Sequence, residues 1–179
     1  MSAESNKALI ESFYTAFQNK DGEAMAQSYA EEATFHDPVF EDLKGVEIGA
    51  MWKMLLERST DLKIEFSDVQ ADENTGSAKW VATYPFSKTG RTIVNNIQAN
   101  FKFENGKIKD HKDSFSLWKW ARMALGPTGL FMGWSGAVQG KIRKEAQGGL
   151  KLWMKLVSTF CWWVIPWRWS YKATTPPCR

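Results

Sequence analysis

The sequence predicts an α+β domain, and three observations predict it. Apolar residues recur at helical spacing as far as about residue 58. From there the period changes to two. Turn signals ("ENTG", "SKTG" and the Asn-Gly pair at 105–106) then separate runs of alternating residues. Helices followed by long antiparallel strands give a sheet with one face packed on the helices.

Each element follows from its residues. Leu9, Ile10, Phe13 and Phe17 share one face of a helix over residues 5–18, and "NKDGE" breaks it. Met25 and Tyr29, with alanines between, predict a second, shorter helix. "ATFHDPVF", residues 33–40, reads as a short strand ended by Pro38, which has no N–H for a ladder. "LKG" is a turn. Ile48, Met51, Trp52 and Leu55 mark a third helix over 46–58. "LKIEFSDV" alternates. In "AKWVATYPF", Trp80, Ala82, Tyr84 and Phe86 share a face. In "TIVNNIQANFKF", Ile93, Ile97, Ala99, Phe101 and Phe103 do so. The Asn-Gly turn leads into a further strand, "KIKDHKDSF". Residues 116–150 hold two helix-like pieces around "GPTG".

The bulk numbers narrow the function classes. With 179 residues and 44% hydrophobic content the chain can bury a real core. A net charge of +3, without a basic stripe, does not point to nucleic acid. Ten tryptophans imply large buried surfaces, a ligand-lined pocket or a lipid interface. Cys161 and Cys178 make no disulfide framework, and no His/Cys set has metal spacing. "MSAESNKALIESF" does not read as a signal peptide, so the expected location is cytoplasmic.

Four polar residues are candidates for a site. Asn95 shares the apolar face of Ile93 and Ile97, either tied to backbone or facing a ligand. Asp37 shares a face with Phe35. It either caps the turn at Pro38 or enters the interior, where desolvation would raise its pKa into the range of a general base. His111 and Asp113 lie on one face with Phe115. Strict alternation from Ile108 would turn Asp110 and Lys112 inward instead. A bulge at Lys109-Asp110 would bring His111 and Asp113 inside; without it they are a surface pair.

"YAEEATFHDPVF", "LKGVEIGAMWKML" and "FKFENGKIKDHKDSF", in that order after two helices, resemble the nuclear transport factor 2-like superfamily. The SnoaL-like and ketosteroid isomerase-like branch is the nearest in pattern, over residues 5 to about 118. The resemblance implies a cone-shaped, strongly curved, mostly antiparallel sheet wrapped around three N-terminal helices, with an apolar pocket. It also implies a homodimer through the outer face of the sheet. Asp37 falls where ketosteroid isomerases carry their proton-shuttling carboxylate. Asp113 falls where polyketide cyclases and limonene epoxide hydrolases keep a pocket aspartate. The chain departs from these enzymes too. Phe13 and Ala99 replace the tyrosine and protonated aspartic acid that hold the isomerase's oxyanion. Losing one such donor costs on the order of 10²–10³ in rate. The Arg-x-Asp of the epoxide hydrolase is missing from "AKWVATYPF".

Two functions therefore stand. In the first, Asp37 or Asp113 moves a proton next to a carbonyl, His111 relays, and Asn95 or Tyr84 donates to the oxyanion. Trp80, Phe115, Trp118, Trp52 and Phe13 would line a site for a small apolar or aromatic carbonyl compound. No cofactor or metal is needed. In the second, the same cone is a non-catalytic ligand-binding or dimerisation module.

The organisation expected is a domain over 1–118, a helical extension over 119–149 and a Trp-rich segment over 150–179. "KLWMKLVSTFCWWVIPWRWSYK" has no charge between Leu156 and Trp167. It is too short to span a bilayer. A helix over 150–169 with its Trp face buried, outside the catalytic floor, is expected. That face packs on its own subunit or a dimer partner, or it lies in a membrane interface, unless the segment is non-native sequence.

Overall fold

The computed structural model describes residues 2–164. Asn105 and Gly106 both take left-handed φ, 49° and 82°. That is the geometry a two-residue hairpin needs, and it explains why Asn-Gly stands there. The turn joins β5 (Thr92–Glu104) to β6 (Lys107–Ser114). Phe103 pairs with Ile108, but Lys102 pairs with Asp110, so Lys109 is the extra residue of a bulge. The bulge is the alternative that turns His111 and Asp113 inward, and both are buried.

The other elements are α1 (Ala3–Gln18), α2 (Gly22–Gln27), β1 (Tyr29–His36), β2 (Leu43–Lys44), α3 (Val46–Arg58), β3 (Lys63–Ala71) and β4 (Thr75–Pro85). The six strands form one curved, unclosed sheet in the order β2-β1-β6-β5-β4-β3. Only β1 and β6 pair in parallel. The apolar stripe of α1 (Ile10, Phe13, Tyr14, Phe17) and that of α3 (Ile48, Met51, Trp52) fill the concave side. α1 is N-capped by Ser2, whose hydroxyl accepts from the Ser5 N–H.

Three expected elements are corrected, the first being "LKG", where Leu43 and Lys44 form the short strand β2 paired to β1 in place of a turn. The second helix stops at Gln27, and Tyr29 opens β1 instead of lying on that helix. The strand expected over 33–40 runs over Tyr29–His36, because residues 37–40 turn back on themselves. The Asp37 N–H donates to the Phe40 carbonyl.

Beyond the sheet lie α4 (Leu117–Leu125), α5 (Pro127–Met132) and α6 (Gly136–Val164). α5 folds tightly onto α4: a Cβ on Gly129 would lie 2.0 Å from the Ala121 carbonyl oxygen. α6 runs unbroken through Gly149, so the change of composition at residue 150 coincides with no break in the helix. It lies over α3, where the Trp153 N–H donates to Glu57. Residues 165–169 of the expected C-terminal helix, and the rest of the segment to 179, are outside the described residues. No described helix is long and apolar enough to cross a membrane.

Candidate functional site

The topology gathers one end of the sheet. β1 and β6 are parallel, so both finish there. β5 runs against β6 and starts there; β4 runs against β5 and finishes there. This end therefore carries Asp37, Tyr84, Ile93 and Phe115. The last paired residues of β1 and β6 are His36 and Lys112. One step further along each segment come Asp37 and Asp113, and the charge of Asp113 is felt at Asp37.

Asp37 caps its turn and is also desolvated. Its carboxylate accepts from the backbone N–H groups of Val39 and Phe40 at 2.6 and 2.5 Å. Burial nevertheless pushes its pKa up to about 7, and the charge of Asp113 adds to the rise. The two sequence alternatives for Asp37 are thus not exclusive.

Asp113 belongs to a buried chain of partners. The His111 Nε2 lies 3.1 Å from its carboxylate, and the Trp80 N–H donates to the same oxygen at 3.3 Å. On the far side of the imidazole, Nδ1 lies 2.6 Å from the Tyr29 hydroxyl, which also accepts the Trp52 N–H at 3.0 Å. One proton arrangement pairs every atom. Tyr29 donates to Nδ1, and Nε2–H donates to Asp113. The rings of Phe13, Phe35 and Phe101 pack on the imidazole at 5.8, 5.1 and 4.3 Å. Tyr29 is the partner that the sequence does not offer, since its spacing from Met25 reads as helical. Nor does it offer Tyr14: its hydroxyl is buried with no partner among the described residues.

The remaining expected residues divide. The Tyr84 hydroxyl accepts the Trp120 N–H at 2.9 Å, so its own proton is free to donate. Burial raises its pKa, and the charge of Asp37 contributes. Asn95 is buried opposite Ala82, and no side-chain hydrogen bond ties it to the described residues. Phe115 is partly buried against the core. Phe13 and Trp52 lie within the aromatic cluster, 5.7 Å apart, and not on an open wall. Trp118 turns to α5, its N–H donating to the Leu130 carbonyl at 3.4 Å.

The extension closes this end. Thr89 and Arg91, in the β4–β5 connection, donate to the carbonyls of Ala124 and Met123 at the end of α4. Arg143 of α6 donates to the Pro38 carbonyl at 3.0 Å and pairs with Glu41. Two depressions, of about 490 and 710 Å³, lie outside the cone. One is between α6 and Glu41, and the other runs along Gln70–Asp72 and Asn100–Lys102. Among the described residues no three His, Cys, Asp or Glu side chains are placed to hold a metal ion.

Comparison with known proteins agrees with this fold. Three solved structures share the fold. One is an LEH-like epoxide hydrolase from M. tuberculosis: 14% identity, 72% of this chain and 94% of that one, TM-score 0.58. Another, from Xanthomonas campestris pv. campestris, is described as a polyketide cyclase: 19% identity, 69% and 99%, TM-score 0.59. The third has a ketosteroid isomerase-like fold and comes from Catenulispora acidiphila, in complex with trimethylamine: 12% identity, 71% and 96%, TM-score 0.59. At these identities the likeness is one of fold. No curated protein sequence matches the chain. The model of the SnoaL-like domain matches residues 10–111, from the inner face of α1 to the imidazole of β6, and the chain belongs to the SnoaL-like domain family.

Proposed function

We propose that the chain binds a small apolar or aromatic carbonyl compound at the closed end of the cone and moves a proton next to its carbonyl without a cofactor. The observation that carries this reading is the Asp37 carboxyl, held by two backbone N–H groups yet pushed up to about 7 by burial. Such a group is part ionised near neutral pH and can both take and return a proton. The free proton of Tyr84 and the unpaired amide of Asn95 are the donors offered to the developing oxyanion. They would stand in for the donors that Phe13 and Ala99 lack. Asp113, held by His111, sets the second charge, which keeps Asp37 from ionising early.

The test is solvent exchange. Aromatic ketones in D2O should exchange their α-protons in the presence of the protein, faster as pH rises through about 7. Asp37→Asn should slow exchange by about 10²–10⁴-fold while ketone binding persists. A filled aromatic core and the missing isomerase donors favour the second reading, a binding module. Quenching of tryptophan fluorescence by the ketones, with no exchange in the native chain, selects it. The homodimer belongs to either reading. Its face would be the outer row of β5, where Val94, Asn96 and Asn100 are exposed, and light scattering of the purified chain reads the mass.

A further inference from the structure

The charges of this chain are not evenly spread. Residues 1–113 carry 13 Lys and Arg against 19 Asp and Glu; residues 114–179 carry 10 against 1. That one acid, Glu145, is taken by Lys88. The cations of α6 are ordered as well. Lys141, Lys144, Lys151 and Lys155 recur at steps of three, seven and four residues, which places them on one stripe of the helix. All four are exposed. None has an ion-pair partner among the described residues. Leu152 and Leu156 flank the stripe and are also exposed.

A second feature sits at the end of α5. Phe131 is 72% exposed, Met132 53% and Trp134 69%, with Leu130 beside them. The Trp134 N–H donates to the Phe131 carbonyl, so the local backbone turn brings the two rings outward together. Four large apolar side chains in five residues, standing in solvent, are not what a monomer surface normally leaves.

We propose that the C-terminal extension docks on an anionic lipid bilayer. Phe131, Met132 and Trp134 enter the interface, and the lysine stripe of α6 meets the headgroups. Exposed aromatic and aliphatic side chains, together with a stripe of lysines on the same C-terminal extension, are the composition of an interfacial contact. No described helix is long and apolar enough to cross, so the chain would lie on the bilayer. A second copy could offer its acidic body to the same lysines. That contact is head-to-tail and would build open chains, not a closed dimer. Nucleic acid would use the lysines but leave Phe131 and Met132 in water.

Full-length protein is sedimented with vesicles of phosphatidylcholine alone and of phosphatidylcholine mixed with phosphatidylglycerol. The expected result is binding to the mixed vesicles only, weakened by salt. Lys151→Gln with Lys155→Gln should weaken it by about 25-fold, at about fivefold per lysine. Phe131→Ser with Trp134→Ser should weaken it by at least about tenfold. All four residues are exposed, and a matching thermal melt confirms that each variant folds. Equal binding to neutral vesicles overturns the proposal, as does no binding. Binding unchanged in Phe131→Ser/Trp134→Ser overturns it too. Salt-sensitive growth of mass without vesicles assigns the surface to a second copy.

Discussion

Asp37 follows the end of β1 and Asp113 lies within β6, each one step past the paired residues His36 and Lys112, yet their surroundings are opposite. Asp113 sits among side chains that answer it: the imidazole of His111, the indole N–H of Trp80 and, behind them, Tyr29 and Trp52. Asp37 has two backbone N–H groups, no cation, and Asp113 itself as a charged neighbour. A carboxylate built into a network is part of the framework. A carboxylate desolvated without a counter-charge is poised to change its protonation. The difference teaches which of two matching residues to assign to chemistry and which to architecture.

If this assignment is right, the framework carboxylate is the costlier one to lose. Asp113→Ala leaves the Trp80 N–H and the His111 Nε2–H without an acceptor inside an aromatic core. Each buried donor left unpaired costs about 1–3 kcal/mol, which makes about 2–6 kcal/mol for the two. Urea unfolding should report a loss of that size. Asp113→Asn keeps an acceptor oxygen and should recover most of it. Equal losses for Ala and Asn would mean that the hydrogen bonds contribute little and the network is incidental.

How much of this could be read beforehand depends on range. Helix α1 was legible because its signals are local: Ile10, Phe13 and Phe17 repeat within one element, and the observed span Ala3–Gln18 differs from 5–18 by two residues at the start. The Asn105-Gly106 turn was legible for the same reason. The bulge at Lys109 is one of two alternatives that the sequence offers, since nothing local decides it. It is settled by burying His111 against Phe35 and Phe101 from two other strands. Tyr29 was misplaced because "YAEEATFH" hides its phase. Its burial alternates only from Ala33 onward, and Glu31 and Glu32 both face solvent. Its partner His111 lies 82 residues away through a parallel pairing, which leaves no mark in a sequence window. The extension was legible as helices, but its place over the Asp37 turn rests on Arg143 reaching Pro38, 105 residues apart.

The hydroxyl of Tyr29 sharpens the comparison from the other end of the network. Tyr29→Phe keeps the ring but deprives both the Trp52 N–H and the His111 Nδ1 of their partner. Each unpaired buried group costs about 1–3 kcal/mol, and a change of tautomer gives no relief, because it would set a bare Nε2 against the Asp113 carboxylate. A loss of about 2–3 kcal/mol is expected, nearly independent of pH between 6 and 8, because burial holds the Tyr29 phenol far above its ordinary range. Measured alone and with Asp113→Ala, the two losses should sum to more than the double variant costs, since both act through one imidazole. Strict additivity would separate the two halves of the network.

The smallest effect is expected at Asp37, and its sign is reversed. A carboxyl whose folded-state value, about 7, lies above its ordinary 3.8 binds more protons folded than unfolded across that window. Folding is therefore favoured at low pH, and this contribution is lost as pH rises from about 4 to 7. At pH 8 the native chain holds an ionised, poorly solvated carboxylate. Asp37→Asn removes that charge and keeps an oxygen for the Val39 and Phe40 N–H groups, so the turn survives. The full shift corresponds to about 4 kcal/mol at about 1.4 per unit. Because Asp37 keeps some contact with solvent, about half of that is expected. The variant should then be more stable than the native chain by about 2 kcal/mol at pH 8 and equal to it at pH 4. Paired urea titrations at the two values read the difference. A variant that is less stable at pH 8 would show that the ionised carboxylate is well accommodated by its backbone partners. Asp37 would then be a turn cap, and the proton chemistry would have to move elsewhere in the cone.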